Sequence, residues 1–298
     1  MGAKATTLEE QIQLLRSRGM LINNEEKAKE VLSDIGYYRL GFYWFPMEID
    51  YPNKNNRNHL FKDTADFDDA VRLYYFDFKL RNILLKYLSR IEINFKTSLI
   101  YLVSNEYESY PTWFVNPIVV DKSQIQNFDF QVYSSTFRKN KVIADHHRKY
   151  INDRYAPAWK TIEFMTLGGI VSLYSSLNNG DLKLKIASIY NLKRVEVFEN
   201  YINLIRDVRN ACAHINILYD FAPIKSIRKG PALMCDVASN QNLRGAYKII
   251  EYMIKQISIN RYNDLREEMR CLLKKYSEFE GVKDIIQNIS GLNEKDFI

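Results

Sequence analysis

Three cysteines in 298 residues are too few and too scattered to staple a fold. Cys212, Cys235 and Cys271 are odd in number and form no C-x-x-C pair, which argues against a disulfide framework and against a zinc site. A reducing compartment, the cytoplasm, is the expected location. Seven prolines and eleven glycines are sparse for this length, which disfavours a turn-dense all-β fold. The first twenty residues hold no apolar core of the kind a signal peptide needs. No apolar run approaches the roughly 20 residues that span a bilayer, so no membrane partner is expected. The opening MGAKAT fits the N-myristoylation pattern, as many chance N-termini do, and no anchor is read from it. Walker loops, G-x-G-x-x-G and H-E-x-x-H are missing, and neither a metal nor a cofactor is expected.

What the chain does have is apolar bulk, 46% of residues with 13% aromatic, ample for a core without staples. The expected class is all-α. Net charge is +6, from 42 Lys and Arg against 36 Asp and Glu, compatible with a polyanion partner without demanding one. RKNKVIADHHRK (138–149) concentrates positive charge. Arg138, Lys139 and Lys141 are candidate phosphate contacts there, a solvated face being the commoner meaning of such a run.

Along the chain, TTLEEQIQLLRSRGM reads as a helix capped by Thr6 or Thr7 and stopped at Gly19. NEEKAKEVLSDIG is a second helix, ending at Gly36. YYRLGFYWFPM is an aromatic cluster, and the Asn-rich residues 50–62 form a loop. Leu80, Leu84, Leu88, Ile91, Phe95, Leu99 and Leu102, spaced by three or four, predict one long helix from about Asp66 to Glu106. Residues 108–158 are mixed. AWKTIEFMTLGGIVSLYSSL resumes a helical pattern with a possible break at Gly168–Gly169. KRVEVFENYINLIRDVRNACAHINILYD is a further helix, and NLRGAYKIIEYMIKQIS and YNDLREEMRCLLKKYSEF are two more.

The segment IRDVRNACAH (205–214) holds one of only four histidines. At about 100° per residue, Tyr201, Leu204, Ile205, Val208, Ala211, Cys212 and Ile215 share one apolar sector. Asn203, Arg206, Asp207, Asn210 and His214 lie roughly opposite. Asn210 and His214, at i and i+4, are neighbours. Arg209 stands roughly 140° round from His214, so an undistorted helix cannot aim both at one atom. Either the helix is distorted or the two side chains meet through a second copy. A polar stripe is most often a solvated face, and R-x4-H alone is a weak motif.

RNACAH nevertheless resembles the R-x4–6-H signature of HEPN domains, including the polar residue after the arginine. QIQLLRSRGMLI, IGYYRLGFYWFP, LYYFDFKLRNILLKYLSRIEI, PAWKTIEFMTLGGIVSLY and IRDVRNACAH are similar, in that order, to segments of the Abi-like (AbiD/AbiF) abortive-infection proteins of bacteria, over roughly residues 8–220. Two departures stand out: Leu40 precedes Gly41 where the family usually has Ser, and Lys96 replaces a common Arg. Both leave the motif intact.

The resemblance implies an all-α HEPN-type bundle over 63–222 with an insertion at about 108–158. An N-terminal helical and aromatic extension (1–62) and a C-terminal helical segment (223–298) would flank it. It also implies a metal-independent endoribonuclease that works in antiviral defence as a homodimer with facing motifs. Cleavage by the RNA 2′-OH needs only a proton acceptor, a proton donor and charge stabilisation. Two copies of His214 can supply acid and base, Arg209 can stabilise phosphorane charge, and Asn210 can orient His214 or hold a phosphate oxygen. Arg206, Tyr38 and Arg39 are further candidate RNA contacts, the tyrosine by stacking on a base. Packing of the extension explains Tyr37, Tyr38 and Arg39 as well. Asp77 and Arg81 read as a helix ion pair, Arg90 and Glu92 as internal polar contacts, and Glu163 as a carboxylate that could approach the motif. His146 and His147, being adjacent, point apart and make an unlikely metal pair. The alternative function is a catalytically silent RNA-binding protein that holds a structured small noncoding RNA. A helical interaction protein without nucleic acid is the third.

Overall fold

Helices start in this chain where a side chain can satisfy the orphan N–H groups of a first turn. Thr7 and Glu10 form a capping box for α1 (Leu8–Ser17). Asn24 caps α2 (Glu25–Ile35). Gly36, at φ +90°, then turns the chain directly into α3 (Tyr37–Trp44), a conformation that glycine adopts at little cost. Asp66 caps α4 (Phe67–Glu106), a helix of 40 residues. Short helices follow: α5 (Lys122–Gln126), α6 (Phe128–Gln131), α7 (Ser135–Arg138), α8 (Lys141–Lys149) and α9 (Ala158–Thr161). The chain then forms α10 (Leu167–Ser175), α11 (Gly180–Ile189), α12 (Val195–Ala213), α13 (Leu243–Ile257), α14 (Ile259–Tyr276) and α15 (Glu280–Ile285). This computed structural model describes residues 5–233 and 239–297. Met1–Lys4, which open the myristoylation-like start, and Cys235 lie outside the described residues. No strand occurs among those described, and the fold is all-α.

α4 is the spine, packed against α3, α12, α13 and α14. Leu80, Leu84, Leu88, Ile91, Phe95 and Leu99 are fully buried, as their spacing requires. Leu102 is only half-buried and Val103 takes the next core position, because a 3.6-residue repeat drifts against a mixed three-and-four spacing. Residues of α1–α3 and the first turns of α4, from Ile12 to Val71, make a core cluster of their own. A larger cluster unites α4, the insertion, α10–α12 and the C-terminal helices. No helix among the described residues is long and apolar enough to cross a membrane.

Three details depart from the sequence pattern. The break before α10 falls at Met165–Thr166, because the Thr166 hydroxyl caps the Gly169 N–H and the helix runs on through both glycines. α11 forms without a strong apolar periodicity in its sequence. α12 stops at Ala213 instead of continuing through INILYD.

That stop is a Schellman turn: Asn216 N–H bonds to Ala211 O at 2.9 Å and Ile215 N–H to Cys212 O at 3.3 Å. The left-handed position is taken by Ile215, at φ +58°. A β-branched residue there costs about 1–3 kcal/mol and persists only if neighbours over-determine it. They do. Asp77 and Arg81, 0% and 3% exposed, form a buried ion pair on the apolar face of α4. The Asp77 carboxylate accepts the N–H groups of Leu218 and Tyr219 (3.0 and 2.6 Å) and the Tyr43 hydroxyl (2.9 Å). Arg81 donates to Asn216 O at 3.1 Å, and Arg39 to Ile215 O at 2.8 Å. Burial and the adjacent Asp77 push the Tyr43 phenol well above its ordinary pKa, so it stays a donor.

Removing one member of such a pair strands a buried charge. Asp77→Ala is therefore expected to destabilise the protein by about 3–5 kcal/mol in denaturant unfolding. Asp77→Leu with Arg81→Met should recover much of that loss while leaving the Leu218 and Tyr219 amides unprotected in hydrogen exchange. Ile215→Gly removes the left-handed strain and should keep or raise the thermal midpoint, by a gain of up to about 1 kcal/mol. A fall of several degrees would show that the turn is not strained.

Candidate active site at the end of helix α12

The C-terminal turn of α12 carries Arg209, Asn210 and His214. Its inward face, Ile205, Val208, Ala211 and Cys212, is buried, as the helical wheel requires. Burial pushes the Cys212 thiol up to about 12, so it remains a protonated core residue and not a nucleophile. On the other face Asn203, Arg206, Asp207, Arg209 and Asn210 are half-buried, and His214 is exposed at the helix end.

His214 is the C-cap residue. Its backbone N–H still bonds to Asn210 O at 2.9 Å, while its imidazole makes no hydrogen bond among the described residues. Both ring nitrogens are therefore available to a ligand. Arg209 is held by Glu92 of α4, Nε to Oε2 at 3.2 Å, and its Nη1 reaches Asn210 Oδ1 at 3.4 Å. The guanidinium is thus oriented by a carboxylate and an amide, with Nη2 left free of hydrogen bonds among the described residues. Arg206, one turn earlier, is folded onto Asp207 at 3.0 and 2.8 Å.

The stripe is not an open solvated face along its whole length. Pro223, Ile224, Lys225 and Arg228 close over its N-terminal half and leave a groove of about 310 Å³ beside Asn200, Asn203 and Arg206. Asn200 fixes this cover by bonding Ser226 O and the Arg228 N–H. Glu196, Glu199 and Asp207 balance the cations there, so this groove is a weaker phosphate cradle than the open His214 end.

The other candidates are distributed as follows. Arg39 is drawn to the motif, but to hold the Ile215 carbonyl. Tyr38 stands 82% exposed on α3, edge-to-face with Phe42. Arg138, Lys139 and Lys141 lie in the insertion, and no bond joins them to the motif. All three are exposed, and Arg138 also stacks over Tyr133 at 4.7 Å. The carboxylate bonded to the motif is Glu92; no bond joins Glu163 to the motif among the described residues, and its backbone carbonyl accepts from Lys96 at 2.7 Å. His146 and His147 are engaged separately, by Asp153 at 3.0 Å and Tyr133 at 2.9 Å. No cluster of potential metal ligands occurs among the described residues.

Asp77 and Arg81 form the helix ion pair that their i, i+4 spacing implies, and the structure adds that it is buried. Its visible signal was position: Asp77 shares a face with Leu73, Leu80 and Leu84, where a charge must be compensated. Its backbone partners, 141 and 142 residues away in sequence, had no such signal.

No curated protein and no solved structure matches the chain. Residues 30–220 match the family described as Abi-like protein. The matched span runs from within α2 through α12 and its terminal turn, covering the second half of the extension, the α4 spine and the motif. The chain belongs to the Abi-like protein family.

Proposed function

We propose that this protein is a metal-independent HEPN endoribonuclease acting in abortive infection, with Arg209, Asn210 and His214 as its catalytic residues. The observation that carries this reading is the exposed, unbonded His214 imidazole on a pinned turn, one helical turn beyond an arginine already oriented by Glu92. The Abi-like family gives the biological setting.

In this mechanism one imidazole takes the 2′-OH proton and the 2′-oxygen attacks phosphorus. The bond from phosphorus to the 5′-oxygen breaks, and a second imidazole protonates the leaving oxygen. The products are a 2′,3′-cyclic phosphate and a 5′-hydroxyl. Arg209 stabilises the phosphorane charge, and Asn210, already bonded to Arg209, orients phosphate oxygen or guanidinium. One chain provides one such histidine, so a homodimer that faces two α12 ends completes the site. Exposed apolar side chains at the motif suit such an interface: Ile215 on the turn, and Ile93 next in sequence to Glu92.

The basic insertion favours a second reading, retention of a structured small RNA without cleavage. Lys139 and Lys141 are exposed and make no ion pair among the described residues.

Cleavage is expected to persist in EDTA and to end in a 2′,3′-cyclic phosphate or 3′-phosphate. His214→Ala should lower the rate by about 10²–10⁴-fold while RNA binding survives. Arg209→Ala should cost about 10²–10³-fold. Full activity in His214→Ala would remove this site from consideration, and RNA bound but never cut would select the second reading.

Light scattering at micromolar concentration should show a dimer, and a monodisperse monomer would contradict the composite site. Reversing the charge of Arg138, Lys139 and Lys141 should weaken RNA binding. It should also reduce the slope of log K against log salt by about 2, if all three meet single-stranded phosphates. An unchanged slope would make the 138–141 stretch a solvated face.

A further inference from the structure

A second concavity lies on the other side of the strained turn. It has a volume of about 410 Å³ and is bounded by α3, residues 54–59 and residues 217–220. That size falls within the roughly 300–1,000 Å³ usual for small-ligand sites. We propose that this pocket binds a single nucleotide, its base against Tyr38 and Phe42 and its phosphate at Arg18 and Lys54. The proposal deepens the RNA reading above and rests on it for the ligand class.

The aromatic wall is unusual for a surface. Tyr38 is 82% exposed and Phe42 37%, with ring centroids 5.3 Å apart at 80°. Leaving so large a ring in water has no packing benefit, whereas a free π-face beside cations is what an unpaired base stacks on. The charges are arranged to suit a phosphate. Glu48, 1% exposed, would repel one, but Arg57 holds it through two bonds and His59 lies 3.4 Å from it. Arg18 donates only to the neutral Tyr37 hydroxyl, at 3.2 Å, and Lys54 makes no ion pair among the described residues. Arg18 is therefore left for an anion, and Lys54, whose charge also acts on the Asp220 carboxyl, is shared between that carboxyl and an anion. Asp220, also lining the pocket, makes no hydrogen bond through its carboxylate among the described residues, so it can accept from base N–H groups.

The pocket is also joined to the catalytic turn. Ile217 and Tyr219 form part of its lining. The Tyr219 hydroxyl bonds to Phe42 O at 2.7 Å, and Arg39, next to Tyr38, holds Ile215 O. A nucleotide seated here lies against the same five-residue segment that follows His214. An unpaired nucleotide of the RNA strand, or a free mononucleotide, offers the same base and phosphate chemistry.

Calorimetric titration of the full-length protein with AMP, GMP, CMP and UMP tests the site directly. At least one should bind wild type. Tyr38→Ala should weaken that binding about 10-fold or more, Tyr38→Phe should restore it, and Lys54→Ala should weaken it further. Tyr38 and Lys54 are exposed, so these variants are expected to fold, which thermal unfolding checks. Photocrosslinking of a short single-stranded RNA distinguishes the sources. A crosslink at Tyr38 that the mononucleotide competes away assigns the pocket to the RNA strand, and mononucleotide binding without such a crosslink assigns it to a free nucleotide. Either result supports the pocket. Absence of both, or binding indifferent to Tyr38 and Lys54, overturns it. Loss of the catalytic reading alone would leave these binding results unchanged, so the two failures are separable.

Discussion

The buried ion pair between Asp77 and Arg81 is the constraint on which the candidate site depends. Taking two charges out of water is expensive, and replacement by apolar groups is often neutral or better for stability. Here the pair also meets backbone groups of the segment that follows α12. The chain leaves α12 through the exposed Asn216 and is buried at Leu218 and Tyr219, so two amides there and the Asn216 carbonyl take partners from α4. Asp77 accepts two of those amides and Arg81 donates to the carbonyl. One charged side chain of each sign thus fixes the segment that follows α12.

Fixing that loop has a consequence two residues upstream. With the exit path pinned, Ile215 must take a left-handed backbone conformation, and His214 is left as the cap at the end of α12. The imidazole is then presented by a rigid support instead of a flexible chain, which is what a proton-transfer group requires for alignment. Arg209 is oriented from a different direction, by Glu92 of α4. Both functional side chains therefore take their positions from the same long helix. α4 works as the scaffold of the site, although it supplies none of the proposed catalytic atoms.

The N-terminal helices extend this arrangement. Their separate core attaches them to the first turns of α4, close to Asp77. Tyr43 and Arg39 of α3 then reach the same loop that Asp77 holds. α3 is consequently shared between the candidate catalytic turn and the aromatic pocket, and its outward residues, Tyr38 and Phe42, are the ones that the proposed base would meet. The proposed binding of RNA and the proposed chemistry meet across a single short helix.

Periodicity and capping residues in the sequence alone determined that the chain is helical, where α1, α2, α4, α13 and α14 lie, and which face of α12 is buried. Each of these depends on neighbours three or four positions apart, which a sequence displays directly. The order of five segments pointed to the Abi-like family and to Arg209, Asn210 and His214. The end of α12 was not legible, because INILYD continues the apolar spacing and no glycine marks the stop. The stop is imposed by Asp77 and Arg81, about 140 residues earlier in the chain. For the same reason Glu92, and not Glu163, emerged as the partner of Arg209. Whether a charged residue on a helix is solvated, paired or buried is settled by what the rest of the chain places against it. Only the tertiary structure decided that.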